Sequence, residues 1–410
     1  MKILLFSLNH HPEQTGIGKY QGEMAEWFVQ RGHEVRIITA PPYYPNWKVF
    51  PGYSAKRYQV EEIAGAKVYR VPLYVPAVPS GLKRLIHQLS FAVTSFPVAF
   101  WLALTWHPEV VVVIEPPLAV APTAVLVSWL SGGKAHLHVQ DFEVDAAFQL
   151  GLLRNPLLFR LCSAVERGVM RLFSAVSSIS PKMCEKLYDK GVPKDRIHLI
   201  PNWANVDETD PILGPGQWRS LLGMAPGAIL ALYSGNIGRK QGLETVVEAA
   251  RSLAARSDIL FVICGDGAAR EEIMAQSAGL PNIRFLPVQP FEDFRHLMIA
   301  ADVHMLPQKA EAADLVMPSK LGNILASSRP VVVGAVPGTQ LFEAIQNCGL
   351  AVPPDDAQAF AQALVILASD PDLRTRLGQM ARERALSQWT RQSILQDFET
   401  RLMPNFVPAE

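Results

Sequence analysis

The chain has 410 residues, more than one hydrophobic core usually supports, so we expect two domains of roughly 200 residues each. Net charge is zero, but residues 1–205 carry 21 Lys and Arg against 15 Asp and Glu, and residues 206–410 carry 17 against 23. This balance argues against nucleic-acid binding and suggests that the first half meets an anionic surface or substrate. Four widely spaced cysteines without a C-x-x-C pair indicate neither a zinc site nor disulfides, and they fit a cytosolic protein.

Apolar runs that resemble buried strands alternate with helical patterns along the whole chain. The first run is too short for the core of a signal peptide, so we interpret it as a strand. Continuous Val, Ile and Leu runs between helices are typical of doubly wound parallel sheets. The predicted strands are residues 3–8, 35–39, 110–114, 135–139 and 175–179, then 230–233, 259–264, 283–286, 303–306, 331–333 and 350–352.

A glycine loop, Gly16-Ile-Gly18, follows the first strand. It lacks the full dinucleotide fingerprint, so a nicotinamide enzyme is not supported, but Gly18 could allow close approach of a substrate phosphate. After the second strand, the rings of Tyr43, Tyr44 and Trp47 could stack on a sugar or an isoprenoid. These aromatic residues could also simply pack within the protein.

No Asp, Glu, Lys or Arg occurs between Arg84 and Glu109, a length that reaches the bilayer-spanning threshold. Polar residues and Pro97 interrupt the run, so we predict a surface-lying segment on an inner membrane face, with a buried helix as the alternative. A second basic and apolar stretch, 150–173, favours membrane association. The cations expected near anionic headgroups are Lys56, Arg57, Lys67, Arg70, Lys83 and Arg84.

Acidic residues follow the strand at 135–139, at the edge where sites of parallel sheets form. We predict that Asp141 orients an acceptor hydroxyl or the transferred group. Glu143 and Asp145 are candidate acceptor contacts, with a loop or N-cap role as the alternative. For the two histidines of the strand, burial is favoured over ligation.

A segment rich in Pro, Gly and Asx, 201–216, is typical of a linker, so we place the boundary near Trp203. The predicted domains are 1–203, which binds the acceptor, and 204–388. The amphipathic segment 389–403 is predicted to return to the first domain.

The strand at 230–233 leads into a glycine turn with two cations and then an amphipathic helix, a pattern that favours phosphate binding. Gly235 and Gly238 would let the backbone approach an anion. The first N–H groups of the helix after Gly242 would point at it, and Arg239 or Lys240 would add charge. An ordinary strand-to-helix turn is the alternative.

Over nearly its whole length the chain resembles the GT-B glycosyltransferases of retaining family 4. The motifs that carry this resemblance are segments 16–18, 31–35, 176–180, 200–202, 235–242, 265–267 and 300–302. A narrower likeness, to the bacterial colanic-acid fucosyltransferase type, rests on segments 15–20, 40–45, 72–76, 140–146, 234–238 and 318–321.

The resemblance implies two doubly wound Rossmann-like domains facing a cleft, and it assigns donor-binding roles. Departures from the family are Asn236 and Gln241 at usual Arg and Lys positions, and Asn323 at one position of a missing glutamate pair. We expect Lys240 and Lys320 to supply the catalytic positive charge. The implied donor-binding residues are Gly16, Gly18, Gly235, Asn236, Arg239, Gly265, Asp266, Gly267, Val288, Gln289, Ser319 and Asn323.

The expected activity is transfer of a sugar, fucose from GDP-fucose by resemblance, to a polyprenyl-diphosphate-linked sugar at the inner face of the plasma membrane. We expect retention of configuration and no metal or other cofactor, because no Asp-x-Asp dyad that would hold Mg²⁺ is present. A GT-B nucleotide-sugar epimerase and a catalytically silent scaffold remain alternatives.

Overall fold

A computed structural model describes residues 1–13, 16–78, 80–145, 156–204, 206, 209–310 and 320–403. The chain forms two compact units: Met1–Asn202 with Leu395–Glu410, and Trp203–Ile394. The first division falls beside the predicted Trp203, and the return to the first unit comes at Leu395, later than the predicted residue 389.

Unit 1 is built on a sheet with the strand order β3-β4-β2-β1-β5-β6-β7-β8, parallel except for the β3–β4 pair. Most residues of its central strands are buried and apolar, because helices cover both faces of a parallel sheet. The strands are β1 (Lys2–Phe6), β2 (Glu34–Thr39), β3 (Gln59–Ile63), β4 (Ala66–Arg70), β5 (Val110–Glu115), β6 (Lys134–Val139), β7 (Ala175–Ser178) and β8 (Ile197–Leu199). The helices are α1 (Ile17–Gln30), α2 (Gly81–Thr105), α3 (Ala121–Ser131), α4 (Pro156–Met170) and α5 (Pro181–Asp189).

Unit 2 contains a parallel sheet with the order β11-β10-β9-β12-β13-β14 and a hydrophobic cluster on each face. Its strands are β9 (Ile229–Ser234), β10 (Ile259–Cys264), β11 (Ile283–Leu286), β12 (Val303–Leu306), β13 (Val331–Gly334) and β14 (Gly349–Val352). The helices are α6 (Trp218–Leu221), α7 (Leu243–Ser252), α8 (Arg270–Gln276), α9 (Phe291–Ala300), α10 (Leu321–Ala326), α11 (Gln340–Ala344), α12 (Ala357–Ser369), α13 (Pro371–Gln388) and α14 (Arg391–Leu402), which continues into unit 1.

Every predicted strand is confirmed, and the doubly wound fold with it. The sequence analysis missed β3, β4 and β8, which lie towards the edges of the first sheet and are short or rich in charge. In β4, Arg70 is buried and bonds to the carboxylate of Glu61 and to the carbonyl oxygens of His11 and Ala40. Its predicted position near lipid headgroups is therefore wrong.

The histidines of β6 are buried, as expected, and both contact the same serine hydroxyl. His136 and His138 each lie 2.8 Å from the hydroxyl of Ser177. Burial lowers the pKa of His138 to about 4, so its ring is neutral. The ring of Phe398, from α14, packs against both imidazoles.

Helix α14 is also fixed to unit 1 by a buried acid. Glu399 accepts hydrogen bonds from Arg31 at 3.1 Å and from the buried His33 at 2.8 Å. Removing one partner of a buried pair leaves the other polar groups unsatisfied.

We predict that Glu399→Ala lowers the free energy of unfolding of unit 1 by about 2–3 kcal/mol, measured by urea unfolding. Asp397→Ala, which removes an exposed pair with Arg401 on the same helix, serves as the control and should cost under about 0.5 kcal/mol. Equal losses in the two variants would show that the Glu399 contacts do not hold the helix.

Candidate functional site

Two glycine turns follow the neighbouring strands β9 and β10 and lie against each other. The Ile237 N–H donates to the Asp266 carbonyl at 2.8 Å. A Cβ on Gly265 would lie 2.0 Å from the carbonyl oxygen of Gly235, and one on Gly267 would lie 2.4 Å from that of Ile237. Both glycines therefore serve a backbone-to-backbone contact that a side chain would prevent.

The Lys320 side chain lies beside this pair of turns. Its Nζ donates to the Tyr233 hydroxyl at 3.0 Å, and that buried hydroxyl donates to the Asn236 carbonyl at 2.6 Å. A Cβ on Gly235 would lie 2.9 Å from Nζ, so the ammonium is at the surface of the turn. Desolvation lowers the pKa of Lys320 to about 8. Within the described part of the chain, no carboxylate forms an ion pair with this ammonium, which has three protons to donate.

The two cations of the glycine turn are exposed. The Arg239 side chain is 81% exposed and lies 3.7 Å from a glutamate of α8, and Lys240 is exposed as well. The N-terminus of α7 holds its own acid, Glu244, which pairs with Lys309 at 3.3 Å. A Cβ on Gly242 would lie 3.2 Å from the Lys309 backbone nitrogen. A carboxylate and a loop therefore lie near this helix end, and its use as an anion site stays a prediction.

The other predicted donor residues of unit 2 lie on loops at the same sheet edge or on α10. The Asp266 carboxylate accepts an N–H of its own turn, and the Gln289 amide folds back onto a carbonyl of its own loop, each at 2.8 Å. Val288 is 69% exposed, and Asn323 is half-buried on α10. Ser319 lies outside the described residues.

In unit 1, the loop after β1 is organised by Glu13, which the sequence analysis missed. Its buried carboxylate accepts the backbone N–H groups of Tyr43 and Tyr44 at 2.7 and 2.8 Å, and the Asn9 amide at 2.8 Å. A Cβ on Gly18 would lie 2.8 Å from the Glu13 Cβ. Gly18 is therefore needed for packing against Glu13, and its contact with a substrate phosphate stays a prediction.

The loop aromatics differ in exposure. Tyr43 is only 3% exposed and its hydroxyl lies 2.9 Å from His87, so its ring is not free to contact an acceptor. Trp47 packs against both of these rings. Tyr44 is 40% exposed, and a Cβ on Gly16 would lie 3.7 Å from its ring. Among the three predicted aromatic contacts, Tyr44 is the most exposed.

A group of acids, here called the carboxylate cluster, lies beyond the carboxyl ends of β5 and β6. It consists of Glu115, Glu143, Asp145 and Glu166, with Lys190 between the last two at 2.7 and 2.5 Å. Glu115 is fully buried, and neither of its oxygens has a hydrogen-bond partner among the described residues. Burial, followed by the charge of Glu143, raises its pKa well above the usual value. Burial in this acidic cluster therefore disfavours the charged form of Glu115.

The predicted acceptor residues are adjacent to this cluster. Asp141 has an exposed side chain, although partial desolvation raises its pKa. Glu143 accepts the Leu118 N–H at 2.7 Å and an amide proton of Gln88, so both of its oxygens are used inside the protein. Asp145 is held by lysines of unit 1. Of these three acids, Asp141 has the exposed side chain and no ion pair with another described residue. The described residues contain no group of three or more His, Cys, Asp or Glu placed to hold a metal.

Two family models match successive parts of the chain: a glycosyl transferase 4-like domain over residues 15–203, and glycosyl transferases group 1 over residues 217–384. An Escherichia coli (strain K12) protein named as the colanic acid biosynthesis glycosyl transferase WcaI is 42% identical over 412 residues, covering 97% of this chain and 98% of its own.

Solved structures share the fold across both units. Sucrose-phosphate synthase from Thermosynechococcus elongatus is 19% identical with a TM-score of 0.71, and 98% of each chain is covered. Anabaena HepE in complex with UDP is 15% identical with a TM-score of 0.69, covering 98% of this chain and 100% of its own. At these identities the likeness concerns the fold alone.

We predict that Gly265→Ala lowers the free energy of unfolding of unit 2 by at least about 3 kcal/mol, because its Cβ would meet a carbonyl oxygen at 2.0 Å and its φ is +145°. Gly279→Ala is the matched control: its φ is also positive, at +80°, but nothing lies within 4 Å. The control should cost about 1 kcal/mol by denaturant unfolding. A similar small loss for both would show that the turns can separate without penalty.

Proposed function

Because this chain belongs to the GT-B glycosyltransferases, with a glycosyl transferase 4-like domain followed by a group 1 domain, we propose that it transfers a sugar from a nucleotide diphosphate to a lipid-linked sugar. The observation that carries the proposal is the position of Lys320. Its desolvated ammonium borders the glycine turns at the carboxyl ends of β9 and β10. Ligands of open parallel sheets bind at this edge, beside the point where the strand order reverses between β9 and β12.

In the proposed reaction, the bond between the anomeric carbon and the distal phosphate oxygen breaks, and a bond to the acceptor oxygen forms. The acceptor proton passes to the leaving phosphate, with retention of configuration and without a metal. Negative charge grows on the distal phosphate in the transition state, so a fixed ammonium there is stabilising. Lys320 supplies that charge from a desolvated position, and Lys240 and Arg239 approach from solvent. Asp141 orients the acceptor hydroxyl.

For the donor and acceptor we propose GDP-fucose and a polyprenyl-diphosphate sugar, in the assembly of an exopolysaccharide repeat unit. This choice is supported by the 42% identity to the protein named for colanic acid biosynthesis, which extends over nearly all of both chains. The choice of sugar is supported by the sequence motifs that resemble the fucosyltransferase type.

The test is a mass assay of the product formed from a panel of GDP- and UDP-sugars with polyprenyl-diphosphate-glucose. We expect one deoxyhexose to be added from GDP-fucose. Transfer from another donor would contradict the donor assignment, and a changed nucleotide sugar without any acceptor product would favour an epimerase.

We predict that Lys320→Ala lowers kcat/KM by about 100-fold or more, because the fixed positive charge beside the leaving phosphate is lost. The control is Arg256→Ala, which removes an exposed cation paired with Asp258 and should leave kcat/KM unchanged.

The pH dependence provides a sharper check on Lys320. Its pKa of about 8 means that the ammonium is lost as pH rises through 8, so kcat/KM of the wild-type enzyme should fall above that pH. Lys320→Arg keeps its charge, and its kcat/KM should lack this fall even if its absolute activity is lower. An alkaline fall that persists unchanged in Lys320→Arg would assign the titration to another group.

The proposed acceptor requires contact with a membrane, and α2 offers the surface. By length and composition α2 could cross a bilayer: it has 25 residues and an 18-residue window with mean hydropathy 1.4. Its other side packs in the core of unit 1 through Phe91, Ala99 and Leu102, so we propose that it lies on the lipid surface. The exposed residues, here called the apolar face of α2, are Leu82, Leu85, Ile86, Leu89, Val93, Phe96, Phe100, Trp101 and Leu104.

Exposed cations complement this apolar face. Lys83 lies on α2 itself, whereas the Arg84 guanidinium lies over the ring of Trp47. Arg160 and Arg167 lie on α4, where Leu157, Leu161 and Val165 are also exposed. Anionic lipid headgroups fit this combination of apolar and basic side chains. We therefore propose a peripheral location on the inner face of the plasma membrane.

We predict that replacing Val93, Phe96 and Trp101 together by Ser weakens binding to phosphatidylglycerol vesicles at least about tenfold, measured by flotation. The control replaces Ile366 and Leu386 of unit 2, each 45% exposed, by Ser. Control binding should match that of the wild-type protein, and added salt should weaken both. Unchanged flotation of the triple variant would rule out α2 as the docking surface.

A further inference from the structure

The side of α2 opposite its apolar face contacts loops of unit 1 that carry candidate acceptor residues. His87 lies 2.9 Å from the Tyr43 hydroxyl and 2.6 Å from the Tyr74 carbonyl oxygen. The guanidinium of Arg84 lies 5.4 Å from the centroid of the Trp47 ring. The first turns of α2 therefore hold the loop after β2 in place.

Gln88, which follows His87 on α2, contacts the loop after β6. The Gln88 amide donates to one oxygen of Glu143, and the Leu118 N–H donates to the other at 2.7 Å. Leu118 begins the 3-10 turn between β5 and α3, and α3 packs against α2. Glu143 is two residues after Asp141, so one carboxylate joins α2, the β5–α3 turn and the loop that carries Asp141.

The surroundings of Glu143 disfavour the charged form of its carboxylate. Burial, followed by the negative charges of Asp141 and Glu166, raises the pKa of Glu143 to about 7, although the Leu118 N–H and Gln88 oppose the rise. Glu115 faces the cluster from β5, and Lys190 faces it from the end of α5. If Gln88 moved away, the charged form of Glu143 would lose one of its two hydrogen-bond donors. The loop would then lose its link to α2.

We propose that Gln88 and Glu143 transmit the binding of a lipid surface at the apolar face of α2 to the Asp141 loop, so that the docked enzyme turns over faster than the free enzyme. The inference rests on the proposed function, because it needs both docking and transfer. Leu85 and Leu89 of the apolar face flank Gln88 along the helix, so a shift of about 1–2 Å at that face would reach its amide. Gln88 and Glu143 are thus positioning residues that act through Asp141.

The experiment measures kcat and KM with a short-chain, water-soluble diphosphate-sugar acceptor, with and without phosphatidylglycerol vesicles. For the wild-type protein we expect vesicles to raise kcat about tenfold, within the usual range of coupling between two sites. Gln88→Ala should still float with vesicles, but its stimulation should fall below about twofold, in kcat and not in KM. Ser90→Ala is the control, because it removes another α2 hydrogen bond, to the Tyr74 N–H, without touching Glu143.

A double-mutant cycle separates coupling from general loss of structure. Adding Gln88→Ala to Glu143→Gln should change vesicle stimulation no further, because the two residues act as one link. An additive effect would overturn the link. Wild-type stimulation retained in Gln88→Ala, or vesicle binding without any stimulation of the wild type, would also overturn it and leave the proposed transfer intact.

A readout independent of catalysis distinguishes this failure from failure of the proposed function. Amide hydrogen exchange of residues 140–145 should change when vesicles bind the wild-type protein and should not change for Gln88→Ala. This result would support the link even if no donor in the panel were used. Absence of vesicle binding would overturn both the docking proposal and the link.

Discussion

The candidate donor site of unit 2 depends on direct contact between the backbones of two neighbouring turns. Gly265 and Gly267 lack the side chains that would separate the turn after β10 from the turn after β9. Because both turns are extensions of paired strands, their contact makes the edge of the sheet a single surface. Lys320 lies against that surface at Gly235, and Tyr233 orients its ammonium. Its charge is in place before a ligand arrives, which is the condition under which electrostatic stabilisation costs no reorganisation.

The three cations near this surface are not equivalent. Lys320 is partly buried and that burial lowers its pKa to about 8, whereas Arg239 and Lys240 extend into solvent. A charge acts more strongly on a phosphate in a low-dielectric environment than in water. Lys320 is therefore the main fixed charge, and the exposed cations add strength only when a bound ligand excludes water from them. Because Arg239 and Lys240 stay hydrated, the free-energy penalty of desolvating a charge falls on the Lys320 ammonium among these three cations.

The fold could be predicted largely from sequence, because the buried parallel strands are continuous apolar runs that need no tertiary information. The site was only partly predictable. The glycines were found, but Gly18 and Gly265 make room for protein atoms, which a turn pattern cannot distinguish from room for a phosphate. Glu13 and Lys190 were missed because their partners are distant in sequence or belong to another loop. Tyr43 was a candidate acceptor contact with packing as the alternative, and the packing that holds depends on His87, on a helix far along the chain.

Polar residues within α2 bear on whether an apolar helix of this length would cross a membrane or lie on its surface. In the sequence, His87 and Gln88 are interruptions of a run that could otherwise span a bilayer. In the structure, they bond to Tyr43, Tyr74 and Glu143, and they face away from the apolar residues. Drawing the helix across a membrane would break these bonds and place unpaired polar groups in hydrocarbon, at several kcal/mol each. Lying on the surface keeps every one of these bonds and still buries the apolar face. The contacts that link α2 to the loops carrying the candidate acceptor residues would therefore also favour the proposed surface position of this helix over one that crosses the bilayer.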